Sequence, residues 1–261
     1  MNIVVCVKRV PETAAEKKLD PEDFTLDRES VEAIMNPVDE YAVEEALKIR
    51  DAAGDGEVTV LTMGPEPAQK EAVRKALAMG ADKGVLVSDP ALHGSDAMAT
   101  AYALALALAQ LEFDLCILGS ESTDARTSLV PQALGQLMGM TALTEIKQLE
   151  VEGGAVKAHR EEEGGHAVVE ASTPAIVSVV KGINEPRYAT LKGIMAAKSK
   201  EVQVLSGEEI GIDPEQVGLA GSKTVVLEAQ PRPPKDQGEI VKDDGEGAAK
   251  LADFLQRNKF V

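Results

Sequence analysis

The chain has very few aromatic side chains: no tryptophan, three tyrosines and four phenylalanines among 261 residues. Proteins that bind single-stranded nucleic acid stack the bases on exposed aromatic rings, and this chain has almost no material for such a surface. Its formal net charge of −17 points the same way, because a phosphate backbone is bound by a positive field. We therefore exclude nucleic acid as a partner.

Cysteine and histidine are also scarce. Cys6 and Cys116 both lie in apolar, strand-like runs, which predicts buried, reduced core residues of a cytoplasmic protein. His93, His159 and His166 are the only imidazoles, and none has the spacing to a cysteine or another histidine that a metal site uses. The sequence thus predicts no metal centre.

Long hydrophobic runs are missing as well. The most apolar stretch, residues 97–111, is shorter than the ~20 residues that a membrane-spanning helix needs. We expect a buried helix there, with Ser95 and Asp96 as capping residues. The chain opens on a strand pattern rather than on a basic segment followed by a long apolar one. Together these features predict a soluble, cytoplasmic protein with no direct membrane insertion.

What the chain does contain, over its first half, is an alternation of short apolar runs and amphipathic segments. The predicted strands are 2–10, 57–64, 83–89 and 113–120, and the predicted helices are 36–54, 66–81, 97–111 and 128–139. Apolar strands separated by helices are typical of a parallel sheet that is covered on both faces. We therefore predict an α/β fold with a doubly wound, mostly parallel sheet.

The pattern changes after about residue 140. Gly-Gly pairs at 153–154 and 164–165 separate short alternating runs, which predicts an antiparallel β-meander added beside the parallel sheet. Apolar or alternating runs at 175–180 and 201–205 are the last predicted strands.

The chain loses this rhythm from about residue 206, and an amphipathic pattern closes it at 248–261. We interpret residues 1–205 as one α/β domain and residues 206–261 as an extended C-terminal arm that reaches another subunit. An arm that lies on its own domain is the alternative, and the sequence leaves both open.

Motifs that would make the chain a self-contained enzyme are missing. It has no GxxxxGK[ST] loop, no GxGxxG between a strand and a helix, and no serine elbow or nucleophile paired with a histidine. If this protein takes part in chemistry, a cofactor or a partner supplies the reacting group.

A nucleotide pocket is predicted where the fourth strand ends. Residues 119–128 are rich in hydroxyl groups and precede a helix, whose first backbone N–H groups are suited to hold a phosphate. Arg126 can add a bidentate contact to that phosphate. Ordinary helix capping by Asp124, Thr127 or Ser128 would explain the same residue types, and both interpretations stay open.

Residues 183–200 carry an unusual set of side chains for such an acidic protein. Cations and apolar residues are mixed there: Arg187, Tyr188, Leu191, Lys192, Ile194, Met195, Lys198 and Lys200. An apolar anchor surrounded by cations is typical of a surface that recognises an acidic partner. In the alternative, Ile194 and Met195 pack into a local core.

The segment "NEPRYATLKGIMAAK" at 184–198 resembles the signature of the electron transfer flavoprotein β subunit. "VVCVKRVPET" at 4–13 and "MNPVDEYAVEEALKIRD" at 35–51 extend the resemblance, which is strongest to the β subunits of high-GC Gram-positive bacteria. The fold that it implies is Rossmann-like, of the adenine-nucleotide-binding type.

The function that the resemblance implies is electron transfer, with no catalytic residue in this chain. In that family the β subunit pairs with an α subunit that holds most of the FAD. The complex takes electrons from flavin dehydrogenases, such as the acyl-CoA dehydrogenases of fatty acid oxidation, and passes them to a quinone oxidoreductase. The β subunit itself binds AMP.

The resemblance also implies three groups of functional residues. The AMP site would comprise Cys6, Asn36, Pro37, Val38, Asp39, Met63, Gly119, Thr123, Asp124, Arg126, Thr127, Ser128, Leu129 and Val130. The partner-recognition surface would comprise Tyr188, Leu191, Ile194 and Met195, with Leu191 as the anchor. Glu161 would contact the mobile flavin domain. Many family members have an acid where this chain has Ala125 or Arg126, and a glycine at Val130.

Two other functions stay open at this point. In electron-bifurcating β subunits a second FAD replaces AMP and NADH is the donor. A stand-alone sensor of adenine nucleotides would share the α/β fold, but it would need neither the signature segment nor the arm.

Overall fold

The computed structural model describes residues 1–230, 233, 238 and 240–261. These residues form two compact units, Met1–Leu227 and Glu228–Val261. The strands in chain order are β1 (Ile3–Cys6), β2 (Arg9–Pro11), β3 (Ala33–Met35), β4 (Val58–Met63), β5 (Lys83–Val87), β6 (Leu115–Gly119), β7 (Thr141–Glu152), β8 (Ala155–Glu162), β9 (Gly165–Ser172), β10 (Ala175–Val179) and β11 (Val202–Leu205). The α-helices are α1 (Pro37–Ala53), α2 (Glu66–Met79), α3 (Ala97–Leu108), α4 (Val130–Met138), α5 (Leu191–Ala197), α6 (Gly218–Gly221) and α7 (Gly247–Arg257).

One nine-stranded sheet organises the first unit, in the order β11-β5-β4-β1-β6-β10-β7-β8-β9. Neighbouring strands are parallel from β11 to β7, and the meander β7-β8-β9 is antiparallel. The predicted α/β fold with an added meander is thus confirmed. Because β4 and β6 flank β1 on opposite sides, the winding of the chain reverses at β1. In such sheets the ligand crevice lies at the carboxyl ends of the strands beside this switch point.

Both faces of the sheet are covered, as the apolar strands predict. Ile3 and Val5 belong to a core that α1 and α2 close, whereas Val4 and Cys6 belong to the core on the other face, which α3 and α4 close. Alternation along a single strand therefore supplies side chains to both cores.

The prediction of one strand over residues 2–10 is wrong, since the chain leaves the large sheet after Cys6. The Lys8 amide donates to the Asp39 carboxylate (2.8 Å) instead of to a neighbouring strand. Residues Arg9–Pro11 then form β2, which pairs only with β3 in a separate two-stranded antiparallel sheet. The side chain that interrupts the strand belongs to the start of α1, so a run of apolar residues could not reveal it.

Asp96 caps α3, as the sequence predicts, whereas Ser95, the other expected capping residue, donates through Oγ to the carbonyl of Leu92 (2.8 Å). Asp96 Oδ1 accepts hydrogen bonds from the amides of Met98 (3.0 Å) and Ala99 (2.9 Å), and its Oδ2 accepts from those of Lys223 and Thr224, both at 2.8 Å. One carboxylate therefore joins the start of α3 to the last residues of the first unit.

The boundary between the two units follows Leu227, whereas the sequence predicts a C-terminal arm that begins at residue 206. Residues 206–227 belong to the first unit and contain α6. In the second unit α7 occupies most of the amphipathic pattern predicted at 248–261, and residues 231–232, 234–237 and 239 of the arm lie outside the described residues. Among the described helices, none is long and apolar enough to cross a membrane.

Candidate nucleotide site and recognition surface

Three predicted site residues lie at the carboxyl ends of neighbouring strands. Cys6 ends β1, Met63 ends β4 and Gly119 ends β6. The register pairs Cys6 with Leu61 on one side and with Leu118 on the other, so all three strand ends reach the same edge of the sheet. This edge is the crevice that the reversal of winding predicts.

Asn36 joins the start of α1 to the loop that follows β6. Its Nδ2 donates to Asp39 Oδ1 (2.8 Å) and to the carbonyl of Glu121 (2.9 Å), and its Oδ1 accepts from the amide of Thr123 (3.2 Å). The residue is buried, and these three bonds fix the two segments relative to each other.

Asp39 lies in the first turn of α1, after Pro37 and Val38, and it is buried between the ends of β1 and β6. Burial raises the pKa of Asp39 to about 7, although its hydrogen bonds, including the one from the Lys8 amide, oppose this shift. A Cβ atom at Gly119 would stand 2.4 Å from Asp39 Oδ1. Only glycine allows β6 to approach the start of α1 so closely.

Asp124 carries the charge at the centre of the site. Its side chain is completely buried, and it accepts hydrogen bonds from Lys8 Nζ (2.8 Å) and Arg28 Nη2 (2.7 Å). Burial alone would raise the pKa of Asp124, but Lys8, Ser122 and Arg28 lower it to about 2. Desolvation in turn lowers the pKa of Lys8. Two cations thus surround one carboxylate. Asp39 also acts on Lys8 through its charge, and because the pKa of Asp39 is raised to about 7, positive charge is in excess beside the crevice when Asp39 is protonated.

Arg28 is absent from the predicted site. It lies between β2 and β3, in a segment with no helical or strand periodicity that would mark it in the sequence. Arg28 and Asp124 are 96 residues apart in the sequence, and only the fold brings their side chains into hydrogen-bond contact.

The backbone between Asp124 and α4 alternates between left-handed and right-handed dihedral angles. Arg126 (φ 51°) and Ser128 (φ 49°) are left-handed, whereas Leu129 (φ −98°, ψ −31°) is right-handed and leads into α4 at Val130. Left-handed residues other than glycine are uncommon, and a left-to-right alternation turns successive amides inwards as an anion-binding nest. The exposed side chains of Arg126 and Thr127 flank this nest.

Helix capping does not explain these residues. Leu129 is at the N-cap position of α4, and no side chain of the described residues caps that helix. Asp124 pairs with Lys8 and Arg28 instead. The Oγ1 atom of Thr123 is buried and has no hydrogen-bond partner in the described part of the chain. A buried hydroxyl without a partner is costly unless a ligand engages it, so the site fits a phosphate-bearing molecule.

The predicted recognition residues form a separate surface on and before α5. Thr190 caps this helix by accepting from the Gly193 amide (3.0 Å). The exposed apolar side chains are Tyr188 (96%), Leu191 (75%), Ile194 (46%) and Met195 (66%). The alternative of a local core is therefore wrong for Ile194 and Met195. Apolar side chains exposed together on one helix mark an interaction site.

Glu161 lies on β8 in the meander and belongs to neither group. Its exposed carboxylate pairs with Lys147 of β7. In the sheet order β10 and β7 stand between β8 and the crevice strand β6.

Comparison with known proteins points in one direction. The electron transfer flavoprotein domain family matches residues 23–209. Proteins named electron transfer flavoprotein subunit beta from Mycobacterium tuberculosis and Mycobacterium leprae are both 47% identical to the chain over 265 aligned positions, which cover 100% of this chain and 99% of each relative. The Caffeyl-CoA reductase-Etf complex subunit CarD of Acetobacterium woodii is 38% identical over 92% of both chains.

Proposed function

This chain belongs to the electron transfer flavoprotein β-subunit family, and on that premise we propose that it works as the β subunit of a cytoplasmic αβ electron carrier. The carrier accepts electrons from flavin dehydrogenases, such as acyl-CoA dehydrogenases, and delivers them to a quinone oxidoreductase. The α subunit holds most of the FAD, which supplies the redox chemistry. This chain contributes a nucleotide, a docking surface and a base for the flavin domain.

AMP is the nucleotide that we assign to the crevice. Its phosphate would lie at the nest of Ser128 and Leu129, within reach of the positive charge that Lys8 and Arg28 leave uncompensated. The buried Thr123 hydroxyl would gain the partner that it lacks among the described residues. Asn36 and Asp39 hold the two walls of the crevice together.

The observation that carries the docking role is the exposure of Leu191, 75% of whose surface is accessible although its helix is anchored at several points. A side chain presented in this way can enter a pocket of a dehydrogenase without an ordering cost. A small apolar anchor also suits a short-lived complex, because the carrier must leave its donor after each transfer.

The remaining assignments concern the α subunit. We assign Glu161, exposed on the meander, to a polar contact with the flavin domain. Of the predicted C-terminal arm (residues 206–261), the part that forms the second unit, Glu228–Val261, is assigned to packing on α. In its last helix, α7, Phe254 and Leu255 follow Leu251 by three and four positions. This spacing puts the three side chains on one apolar side of the helix.

A bifurcating β subunit is the second candidate. One relative is named as a subunit of a Caffeyl-CoA reductase-Etf complex, and this name is the observation that favours the second candidate. FAD brings the same adenine and first phosphate as AMP, so it would use the same strand ends and the same nest. The stand-alone sensor is not retained, since family membership extends over the whole chain.

The test is to count the nucleotides of the purified αβ complex. The complex would be co-expressed, denatured and separated chromatographically, and FAD and AMP would be quantified for each heterodimer. We expect one FAD and one AMP. Two FAD and no AMP would move the assignment to bifurcation, and a complex without any adenine nucleotide beyond the α-subunit FAD would overturn the crevice assignment.

A further inference from the structure

The stretch that leads from β10 to the recognition helix is held by side chains rather than by a sheet. Asn184 donates through Nδ2 to the carbonyl of Tyr41 (3.0 Å) and to Glu45 Oε2 (2.8 Å), both on α1. Within the described residues, neither Tyr188 nor Leu191 contributes to a buried core. Ile183 and Ala189 pack against the core at the two ends of this stretch, and between them its course depends on the bonds to α1.

Arg187 makes the strongest of these attachments. Its backbone amide donates to Glu44 Oε2 (3.0 Å), its Nε donates to the same oxygen (2.7 Å), and its Nη2 donates to Glu44 Oε1 (3.0 Å). The Glu44 side chain is only 8% exposed. Hydrogen bonding to Glu44 raises the pKa of Arg187 despite partial burial. A two-pronged guanidinium contact fixes direction as well as distance, which a lysine in this position would not do.

The recognition helix itself is attached to α2, at Gly193 in its first turn and again at its end. A Cβ atom at Gly193 would stand 2.4 Å from the carbonyl oxygen of Ala78, so α5 and α2 touch backbone to backbone. Arg74 donates to the carbonyls of Ala197 and Lys200, and Lys200 Nζ donates to the carbonyls of Leu77 (3.1 Å) and Ala81 (2.5 Å). The exposed residues thus lie on a segment that α1 holds before Tyr188 and that α2 holds at Gly193 and after Met195.

We propose that Arg187 and Glu44 are positioning residues for partner recognition: the pair sets the backbone that enters α5 and so aims Leu191 at the dehydrogenase. This inference rests on the proposed docking function. Glu44 touches no partner in this scheme. It acts through Arg187, whose backbone and side chain it holds with the same carboxylate, so that Tyr188 and Leu191 are presented in one orientation before the partner arrives.

The test uses the αβ complex with Glu44→Gln and Arg187→Lys, each measured in flavin reduction by medium-chain acyl-CoA dehydrogenase with octanoyl-CoA. We expect the KM for the complex to rise about tenfold in both variants. The lost hydrogen bonds to a charged group no longer hold the recognition stretch in one orientation, so a smaller fraction of the complex presents Leu191 correctly. The kcat should stay within about twofold, since neither residue touches the flavin. Amide hydrogen exchange should accelerate in residues 187–197 and remain unchanged in the β1 and β6 strands.

The matched control is Glu57→Gln, which makes the same chemical change in an exposed ion pair with Lys83 and should leave the KM unchanged. The variant Leu191→Ala distinguishes the positioning role of Arg187 and Glu44 from the docking function itself. If Leu191→Ala raises the KM while Glu44→Gln and Arg187→Lys do not, the positioning role is wrong and the docking function stands. If Leu191→Ala has no effect, the docking function itself fails. Should Glu44→Gln not fold, Arg187→Lys decides alone, because that side chain is partly exposed.

Discussion

At the scale of single residues, the charged groups of the crevice determine what it can hold. Asp124 is buried between Lys8 and Arg28, and Asp39 is buried with no cation hydrogen-bonded to its carboxylate in the described residues. The first carboxyl remains ionised because its partners outweigh desolvation, whereas for the second desolvation dominates. The two acids therefore respond to pH in opposite directions.

We predict that Arg28→Gln weakens the binding of AMP to the αβ complex about tenfold, because a charged hydrogen-bond donor is removed from the phosphate end of the site. Binding of adenosine should not change. Calorimetry on complex stripped of its nucleotide measures both ligands. Arg160→Gln, in an exposed pair with Glu162, is the control. An equal loss for AMP and adenosine would mean that Arg28 only supports Asp124.

Asp39 should make the protein less stable as the pH rises. Its pKa in the folded state is about 7, above the ordinary value of 3.8, so the folded state binds the proton more tightly than the unfolded state does. The stabilisation is complete below about pH 4 and is lost as the pH rises through 7, at about 1.4 kcal/mol for each unit of pKa shift. Asp124, with its pKa lowered to about 2, acts in the opposite direction and only below about pH 4.

The corresponding measurement is the free energy of unfolding in urea between pH 4.5 and 7.5. Asp39→Asn should reduce the fall in stability across this range, since no proton is then exchanged at this position. Asp124→Asn should leave the slope as it is in the unchanged protein. A slope that Asp39→Asn does not alter would contradict the assignment.

At the scale of secondary-structure elements, α1 connects the two proposed sites, the crevice and the recognition stretch. Its first turn forms a wall of the crevice through Asn36 and Asp39, and its second and third turns hold the recognition stretch through Glu44 and Glu45. A helix can hold both sites because its backbone hydrogen bonds keep the distance and the orientation between its two ends constant.

The capping of α3 gives a prediction for an element. Asp96→Ala removes the acceptor for two helix amides and for the amides of Lys223 and Thr224. We expect a loss of about 1–2 kcal/mol in the free energy of unfolding and faster amide exchange at residues 223–224. Asp96→Asn keeps one acceptor oxygen and should lose less. If both variants unfold like the parent protein, the cap does not stabilise α3.

At the scale of the whole molecule, the distribution of charge matters more than its sum. The chain is strongly acidic, yet the recognition surface carries exposed Lys181, Lys192 and Lys198, none of which forms an ion pair within the described residues. A local positive field of this kind accelerates the encounter with an acidic partner.

We therefore predict that Lys192→Glu lowers the second-order rate of flavin reduction by an acyl-CoA dehydrogenase several-fold at low salt, with a smaller effect at high salt because salt screens exposed charges. Stopped-flow measurements over a range of ionic strength test this. Lys157→Glu, on the meander, changes the net charge equally and should have little effect. A loss that is the same at all salt concentrations would contradict electrostatic steering.

What the sequence determined by itself is local. Continuous apolar runs specify strands that are buried on both faces, Gly-Gly pairs specify the turns of the meander, and Asp96 specifies a helix start, since each depends on neighbours within a few residues. The signature at 184–198 likewise identifies the family, and it marks the residues of α5 that the structure shows to be exposed, without any knowledge of the fold. These features needed only the spacing of side chains along the chain.

Only the tertiary structure decided which distant residues meet. Arg28 joins Asp124 across 96 positions, and Arg187 joins Glu44 across 143. The first strand ends at Cys6 because Asp39, from the next helix, takes the Lys8 amide. A charge has no preferred partner in an unfolded chain, because any opposite charge attracts it through water almost equally. The sheet order and the packing of α1 are what bring one partner within hydrogen-bond distance and remove the water around it.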